Sequence, residues 1–286
     1  MLTAIGFAAQ AMIVRVASHR GRTVDTLLVV IAVNAVVLVP LAFVLVDELV
    51  VTSTAVIVFF GSGIIATLVG RGLLYAGIDR VGASRAEPIK ASTPLHATVL
   101  AVLLLGESVS LPQWFGILLV VVGLALVTWE GSRTDPAHTS ERPWFGLALP
   151  LAAALLFGLE PVLAQTGFAE GTSALVGLAI KTVAALSVYL WYLTWQGDCP
   201  TIGSLQSGPL RWYLLAGLVN TGTLVVYYSG LAVSRVGVFV PIMQTSPLLV
   251  LLGSAIFLNR LERVTIQVIA GATMVVAGAI AVTLAG

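Results

Sequence analysis

Charged residues are scarce in this sequence, where they make up 9% of 286 residues. A soluble domain carries roughly 25% charged residues, so this chain could not cover a water-exposed surface with polar groups. Its single cysteine, Cys199, excludes a disulfide framework or a cysteine metal cluster within one chain. A glycine-rich phosphate-binding loop ending in Gly-Lys-Ser/Thr is also missing, so the chain itself does not draw energy from ATP.

Hydrophobic residues, by contrast, make up 58% of the chain, and its mean hydropathy is +1.05. A membrane-spanning helix needs about 20 apolar residues. Ten apolar runs come close to this length: Leu2–Ala17, Val24–Val46, Thr54–Ile78, Ala83–Leu105, Leu111–Trp129, Trp144–Thr166, Thr172–Trp195, Leu210–Ala232, Val236–Leu258 and Val264–Ala285. They predict an all-α protein with ten transmembrane helices in the cell membrane and leave little chain for a folded soluble domain.

The sequence repeats itself at a nearly constant spacing. YAGI at 75–78 and STPL at 92–95 return as YSGL at 228–231 and TSPL at 245–248, a shift of 153 residues (228 − 75 = 153). Glu107, Gly116 and Gly123 return as Glu262, Gly271 and Gly278, a shift of 155 (262 − 107 = 155). A repeated unit of five spans is odd in number, so the second copy enters the membrane upside down. We therefore predict two inverted five-helix repeats at 1–129 and 144–286, joined by a polar linker at 130–143.

Arginines near the span ends predict the orientation, because basic residues favour cytoplasmic loops. Loops after odd-numbered spans carry most of them, which places both termini outside the cell. These residues are Arg20, Arg22, Arg80, Arg133, Arg142, Arg211, Arg260 and Arg263.

The order of the repeated motifs resembles the ten-span EamA type of the drug/metabolite transporter superfamily. The two halves read YAGI, STPL, GES and GILLVVVG, then YSGL, TSPL, LER and GATMVVAG. The resemblance covers essentially the whole chain and implies transport of a small organic metabolite or drug by alternating access. Such carriers are usually drawn with both termini in the cytoplasm, opposite to the orientation that the arginines favour.

Glu160 and Lys181 are the most prominent ionisable residues inside predicted spans. A charge at membrane depth costs roughly 2.5–3.5 kcal/mol, so each needs a compensating role. A hairpin of the sixth and seventh spans could bring the two side chains together. They then form a substrate or proton site, with Glu160 as the coupling acid, or a structural ion pair that locks the two spans.

Arg71, Glu87 and Lys90 form a second candidate group in the third and fourth spans. Glu87 and Lys90 are three residues apart and so share a helix face, where they can pair. The group either contacts substrate or lies shallow enough for its side chains to reach the membrane surface.

Asn34, Asn220 and Gln244 are uncharged polar residues well inside their spans. Each could hydrogen-bond a substrate or hold neighbouring helices together. Pro94 and Pro247 occupy equivalent positions and are each preceded by a Ser/Thr pair, whose hydroxyls can satisfy the carbonyls that a proline leaves free. Each proline is either a hinge or a static kink.

We therefore predict a secondary transporter that moves a small organic metabolite or drug by alternating access, with protons as a candidate coupling ion. The expected partners are the substrate and the lipid bilayer, with no cofactor, metal or nucleic acid, and the protein acts as a monomer or a homodimer. A passive channel or a non-transporting membrane scaffold is the alternative. An intramembrane enzyme is not expected, since every aspartate is terminal to a span or in a loop.

Overall fold

Helices are the only regular secondary structure in the part of the chain that the computed structural model describes. The described residues are 2–18, 23–81, 86, 89–131, 143–197, 210–243 and 266–285. The predicted all-helical class is therefore confirmed over these ranges.

The helices follow the predicted spans along the chain. In the first half they are α1 (Leu2–Ser18), α2 (Thr23–Leu45), α3 (Ser53–Ile64), the π-helical segment π1 (Ile65–Gly70), α4 (Arg71–Val81), α5 (Thr93–Leu100), the π-helical segment π2 (Ala101–Leu105) and α6 (Leu111–Gly131). In the second half they are α7 (Pro143–Ala169), α8 (Ala174–Gln196), α9 (Leu210–Ala232), α10 (Val236–Met243) and α11 (Ile266–Ala285). The third predicted span is thus α3, π1 and α4 in succession.

Several helices are long and apolar enough to cross a membrane. Five qualify among the described residues: Val24–Leu45, Ser53–Leu74, Gly146–Ala169, Ala174–Gln196 and Leu210–Ala232. Three shorter helices, Thr93–Leu105, Leu111–Leu126 and Ile269–Ala285, are also apolar. Their exposed side chains include large apolar groups such as Val44, Leu111 and Trp195, as expected for lipid-facing surfaces. Multiple spans are therefore present, and the count of ten stays a prediction.

The chain divides into two compact units. The first contains Met1–Ile64 and Leu163–Val233, and the second contains Ile65–Val162 and Ser234–Gly286. Each unit combines helices from both halves of the sequence, and the boundaries fall at the junction of α3 with π1, inside α7, and between α9 and α10. The predicted sequence repeats therefore do not coincide with the two compact units, and the boundaries of the repeats stay a prediction.

Small residues bring helices of the first unit close together. A Cβ on Gly63 of α3 would lie 2.5 Å from the carbonyl oxygen of Lys181 on α8. A Cβ on Gly217 of α9 would lie 2.7 Å from the Cβ of Val33 on α2. Lipid chains are as apolar as leucine side chains, so membrane helices associate through close packing rather than through hydrophobic burial.

The antiparallel pair α6 and α11 in the second unit has local two-fold symmetry. A Cβ on Gly116 would lie 2.8 Å from the carbonyl oxygen of Gly278, and a Cβ on Gly278 would lie 2.5 Å from that of Gly116. A Cβ on Gly123 would lie 2.6 Å from the carbonyl oxygen of Gly271. Since Gly116 and Gly123 are the repeat equivalents of Gly271 and Gly278, exchanging the two helices reproduces the same contacts.

The start of α5 shows how the chain accommodates a proline. Pro94 stands in the first turn and has no amide proton to donate to the carbonyl of Lys90. The hydroxyl of Thr93 donates to that carbonyl oxygen at 2.7 Å, and the hydroxyl of Ser92 donates to the carbonyl oxygen of Ile89 at 2.6 Å. The Ser/Thr pair therefore satisfies carbonyls before the proline, as the sequence predicts.

Because α6 and α11 meet at glycines, we expect one added methyl group at this contact to destabilise the folded protein. Gly123→Ala places a Cβ against the backbone of α11, so we expect the free energy of unfolding to fall by about 1–3 kcal/mol. Gly61→Ala is the matched control, because a Cβ there meets no atom within 4 Å. We expect this control to keep or raise the stability, since alanine is the better helix former. Unfolding of the purified protein in detergent measures both; equal losses would contradict the packing role of Gly123.

Candidate functional site

Lys181 lies near the middle of α8 and is partly buried. Its Nζ is 4.9 Å from the ring centroid of Tyr228 on α9, whose side chain is completely buried. A cation over an aromatic face gains about 0.5–2 kcal/mol, depending on how far it is desolvated. The contact with Tyr228 therefore stabilises the side chain of Lys181 inside the first unit.

An aromatic cluster surrounds this contact in the first unit. The ring of Tyr228 lies 6.3 Å from that of Phe59, 5.7 Å from that of Phe168 and 5.5 Å from that of Tyr227, measured between centroids. Tyr227 in turn meets the ring of Phe7 at 6.1 Å. Tilted and edge-to-face pairs at these distances are favourable. Lys181 therefore lies beside a cluster of packed aromatic rings contributed by several helices.

Asn34 and Thr221 join α2 to α9. The Oγ1 of Thr221 lies 2.8 Å from the Oδ1 of Asn34 and 2.9 Å from the carbonyl oxygen of Gly217, and these two acceptors share its single hydroxyl proton. Asn34 and Thr221 are both buried, as is the neighbouring Asn220. The hydrogen bond supports the interpretation in which Asn34 holds two helices together, while the role of Asn220 in substrate binding stays a prediction.

Glu160 is a buried acid inside α7, with 6% of its side chain exposed. Pro161 follows it and removes one backbone hydrogen bond from the helix at this point. Because an acid at membrane depth is costly, its burial keeps Glu160 a candidate for substrate or proton binding. Glu160 belongs to the second unit and Lys181 to the first, and the predicted pair between them stays a prediction.

The remaining predicted residues belong to the third, fourth and ninth spans. Arg71 is partly buried and opens α4 directly after π1, and π-helical segments frequently mark functional sites. Lys90 is partly buried in the same unit. Glu87, Gln244 and Pro247 lie outside the described residues, so the Glu87–Lys90 pair and the roles of Gln244 and Pro247 stay predictions.

Asp25 is a candidate that the sequence does not single out, because it stands at the very start of a predicted span. In the structure it lies in the first turn of α2 with 4% of its side chain exposed. Its Oδ1 has no hydrogen-bond partner. Buried polar atoms are almost always paired, and exceptions mark strain or a bound water or ion. Within the described ranges no three His, Cys, Asp or Glu side chains gather to hold a metal ion.

Comparison with known proteins assigns both halves of the chain. Residues 1–129 and 144–284 match the EamA-like transporter family. The uncharacterized inner membrane transporter YicL of Salmonella typhimurium is 30% identical over 83 residues, which are 29% of this chain and 28% of that protein. The uncharacterized transporter YwfM of Bacillus subtilis is 30% identical over 112 residues, which are 39% of this chain and 38% of that protein. The matched segments thus span well under two thirds of either relative.

A solved crystal structure of another protein has a similar fold. It superposes with a TM-score of 0.74 over 99% of this chain and 96% of that chain, at 15% sequence identity. At such low identity the likeness establishes the fold alone.

The hydrogen bond between α2 and α9 predicts a modest stability effect. Thr221→Val removes the donor and leaves the Oδ1 of Asn34 without it, so we expect a loss of about 0.6–1.7 kcal/mol in the free energy of unfolding. Thr273→Val is the matched control: Thr273 is exposed and its hydroxyl donates only within its own helix, to the carbonyl oxygen of Ile269 at 2.9 Å. The control should unfold like the natural protein, and an unchanged Thr221→Val variant would show that the interhelical bond contributes nothing.

Proposed function

This chain belongs to the EamA-like transporter family, and on that premise we propose that it is a secondary carrier that moves a small organic molecule by alternating access. The protein is a multi-pass membrane transporter. The observation that carries the finer proposal is the ammonium of Lys181, held at mid-helix against a buried aromatic ring. Ionisable residues inside membrane spans commonly mark substrate or ion pathways, which supports a binding role for Lys181.

The symmetry of α6 and α11 supports the inverted arrangement of the repeats. Val120 and Val275 are repeat equivalents (275 − 120 = 155) and share one buried cluster. The two-fold axis that exchanges two antiparallel helices is perpendicular to the helix axes. For helices that cross a membrane, such an axis lies in the membrane plane, which is the relation between inverted repeats in carriers.

Helix directions within each unit support a chain that crosses the membrane alternately. Helices α3 and α8, of the third and seventh predicted spans, run in the same direction. The segment from π1 to α4, in the third predicted span, and α7, in the sixth, run in opposite directions. The contacts that define these directions are Phe59–Gly177 and Gly63–Lys181 for the first pair, and Gly70–Phe157 and Gly77–Pro150 for the second. An odd-numbered span thus runs parallel to the odd-numbered span that it contacts and antiparallel to the even-numbered one. This is the pattern expected when a chain crosses the membrane ten times in succession.

The substrate class that fits best is a small organic anion or zwitterion. Among the five ionisable candidates, three are basic (Arg71, Lys90 and Lys181) and two are acidic (Glu87 and Glu160). Lys181 supplies the charge, and the adjacent rings offer flat apolar surface for the rest of the molecule. On substrate binding, the ammonium of Lys181 exchanges its contact with the Tyr228 ring for a contact with a substrate carboxylate. Glu160 is our choice for the acid that couples transport to protons.

Lys181 generates the first functional prediction. Lys181→Gln should weaken binding of anionic substrates about tenfold to a hundredfold, because a hydrogen bond to a charged group contributes roughly 1.5–3 kcal/mol. The measurement is counterflow in proteoliposomes, with a panel of labelled carboxylate-bearing metabolites. Lys181→Arg keeps the charge and should retain part of the activity, and Arg211→Gln changes an exposed arginine as the matched control. Saturable counterflow separates a carrier from a channel or a scaffold, and equal counterflow in Lys181→Gln would remove this residue from the site.

Glu160 generates the second functional prediction. Glu160→Gln keeps the shape of the side chain but cannot release a proton, so it should abolish accumulation driven by a pH gradient. Counterflow, which needs no net proton movement, should persist. Glu170→Gln, at an exposed position after α7, is the control. Accumulation that still follows the pH gradient in Glu160→Gln would eliminate it as the coupling group, and a loss of folding alone would favour the structural ion pair.

A further inference from the structure

Glu107 joins two distant segments of the second unit. It lies between π2 and α6, and its carboxylate accepts two backbone hydrogen bonds from the start of α10. Its Oε1 accepts from the N–H of Val236 at 2.8 Å, and its Oε2 accepts from the N–H of Gly237 at 3.0 Å. The carboxylate thereby ties the end of the fourth predicted span to the beginning of the ninth.

The contact provides hydrogen-bond acceptors for backbone N–H groups at the start of α10. The first N–H groups of a helix have no partner within it, and the helix dipole favours a negative charge there. A capping side chain normally comes from the residue that precedes the helix and is Ser, Thr, Asp or Asn. In α10 that residue is Arg235, whose side chain has no acceptor. The helix therefore depends on a carboxylate 129 residues away in the sequence.

The residues around Glu107 are suited to this contact. Gly106 adopts a positive φ of 68°, which ends π2 and turns the chain toward α10. A Cβ on Gly237 would lie 3.3 Å from the Oε2 of Glu107 and 3.3 Å from the Cγ2 of Thr98, so a larger residue there needs these two side chains to shift by a few tenths of an ångström. Val236 is completely buried by the contact region.

We propose that the Glu107 latch, formed by Glu107 with the N–H groups of Val236 and Gly237, closes one membrane face of the carrier and opens during transport. The inference rests on the proposed alternating access. The fourth and ninth spans are repeat equivalents, and exchange of the two repeats between their conformations requires their ends to separate at one face in one of the states. When they separate, water replaces Glu107 as the partner of both N–H groups, so the latch opens at the membrane face from which water enters the carrier.

A reversible tether tests whether the contact must open. In a Cys199→Ser background, Val109→Cys and Gly237→Cys are combined, since a Cβ at 237 lies 3.5 Å from the Cγ2 of Val109. Because one C–C bond joins Cγ2 to Cβ, the Cβ atoms of positions 109 and 237 are at most about 5 Å apart, close to the 3.5–4.5 Å that a disulfide spans. Oxidation should abolish counterflow, and reduction should restore it. The control pair Val120→Cys with Val275→Cys tethers α6 to α11 and should leave counterflow intact. Undiminished counterflow through the oxidised latch pair would show a static cap and overturn the proposal.

A labelling experiment judges the latch without a known substrate. Val240→Cys, at a buried position of α10, reports opening through its rate of alkylation by a water-soluble maleimide. Glu107→Ala should raise that rate about a hundredfold or more, since two charge-assisted bonds are lost, and Glu107→Gln, which keeps one acceptor, should give an intermediate rate. Val120→Cys should stay protected in the same backgrounds, which distinguishes opening from unfolding. An unchanged rate at position 240 would overturn the latch. Absence of counterflow in the natural protein would instead refute the carrier and leave the labelling result standing.

Discussion

A backbone N–H or carbonyl without a partner costs several kcal/mol in lipid, and the structure meets this constraint with polar side chains at the starts of two helices. At the start of α5 the hydroxyl of Thr93 binds the carbonyl of Lys90, which Pro94 leaves free. At the start of α10 the carboxylate of Glu107 binds the first two N–H groups. The polar side chains at these two positions therefore supply hydrogen bonds that the backbone itself lacks.

Close approach of backbones is the second constraint, because helices in lipid gain little from burying apolar surface against each other. Gly63 lets the backbone of α8 approach closely at Lys181, and the paired glycines of α6 and α11 bring those two helices into contact at two points seven residues apart. The first contact places a charged residue within a tightly packed unit, beside the buried ring of Tyr228. Close packing of rings around Lys181 would preorganise the binding site that we propose there, because fewer side chains would have to be ordered when a ligand arrives.

Sequence reasoning located the polar residues at depth more reliably than it located their partners. Asn34 and Glu160 are buried, as expected from their positions inside apolar runs. The partner of Asn34 is Thr221, 187 residues away, and no local pattern indicates that pairing. The sequence does not single out Asp25, because a residue at the start of a span can face either water or protein, and only helix packing decides which. The third span was predicted as one run, and the π-helical turns at Ile65–Gly70 carry no signal in apolar composition.

The sequence by itself determined the membrane class, the helical fold, the repeat and the family, because each depends on composition or on order along the chain. Tertiary structure alone decided which helix meets which, that Lys181 rests on Tyr228, and that Glu107 caps α10. These contacts join residues tens to more than a hundred positions apart. Their geometry follows from the packing of whole helices, which no short stretch of sequence specifies.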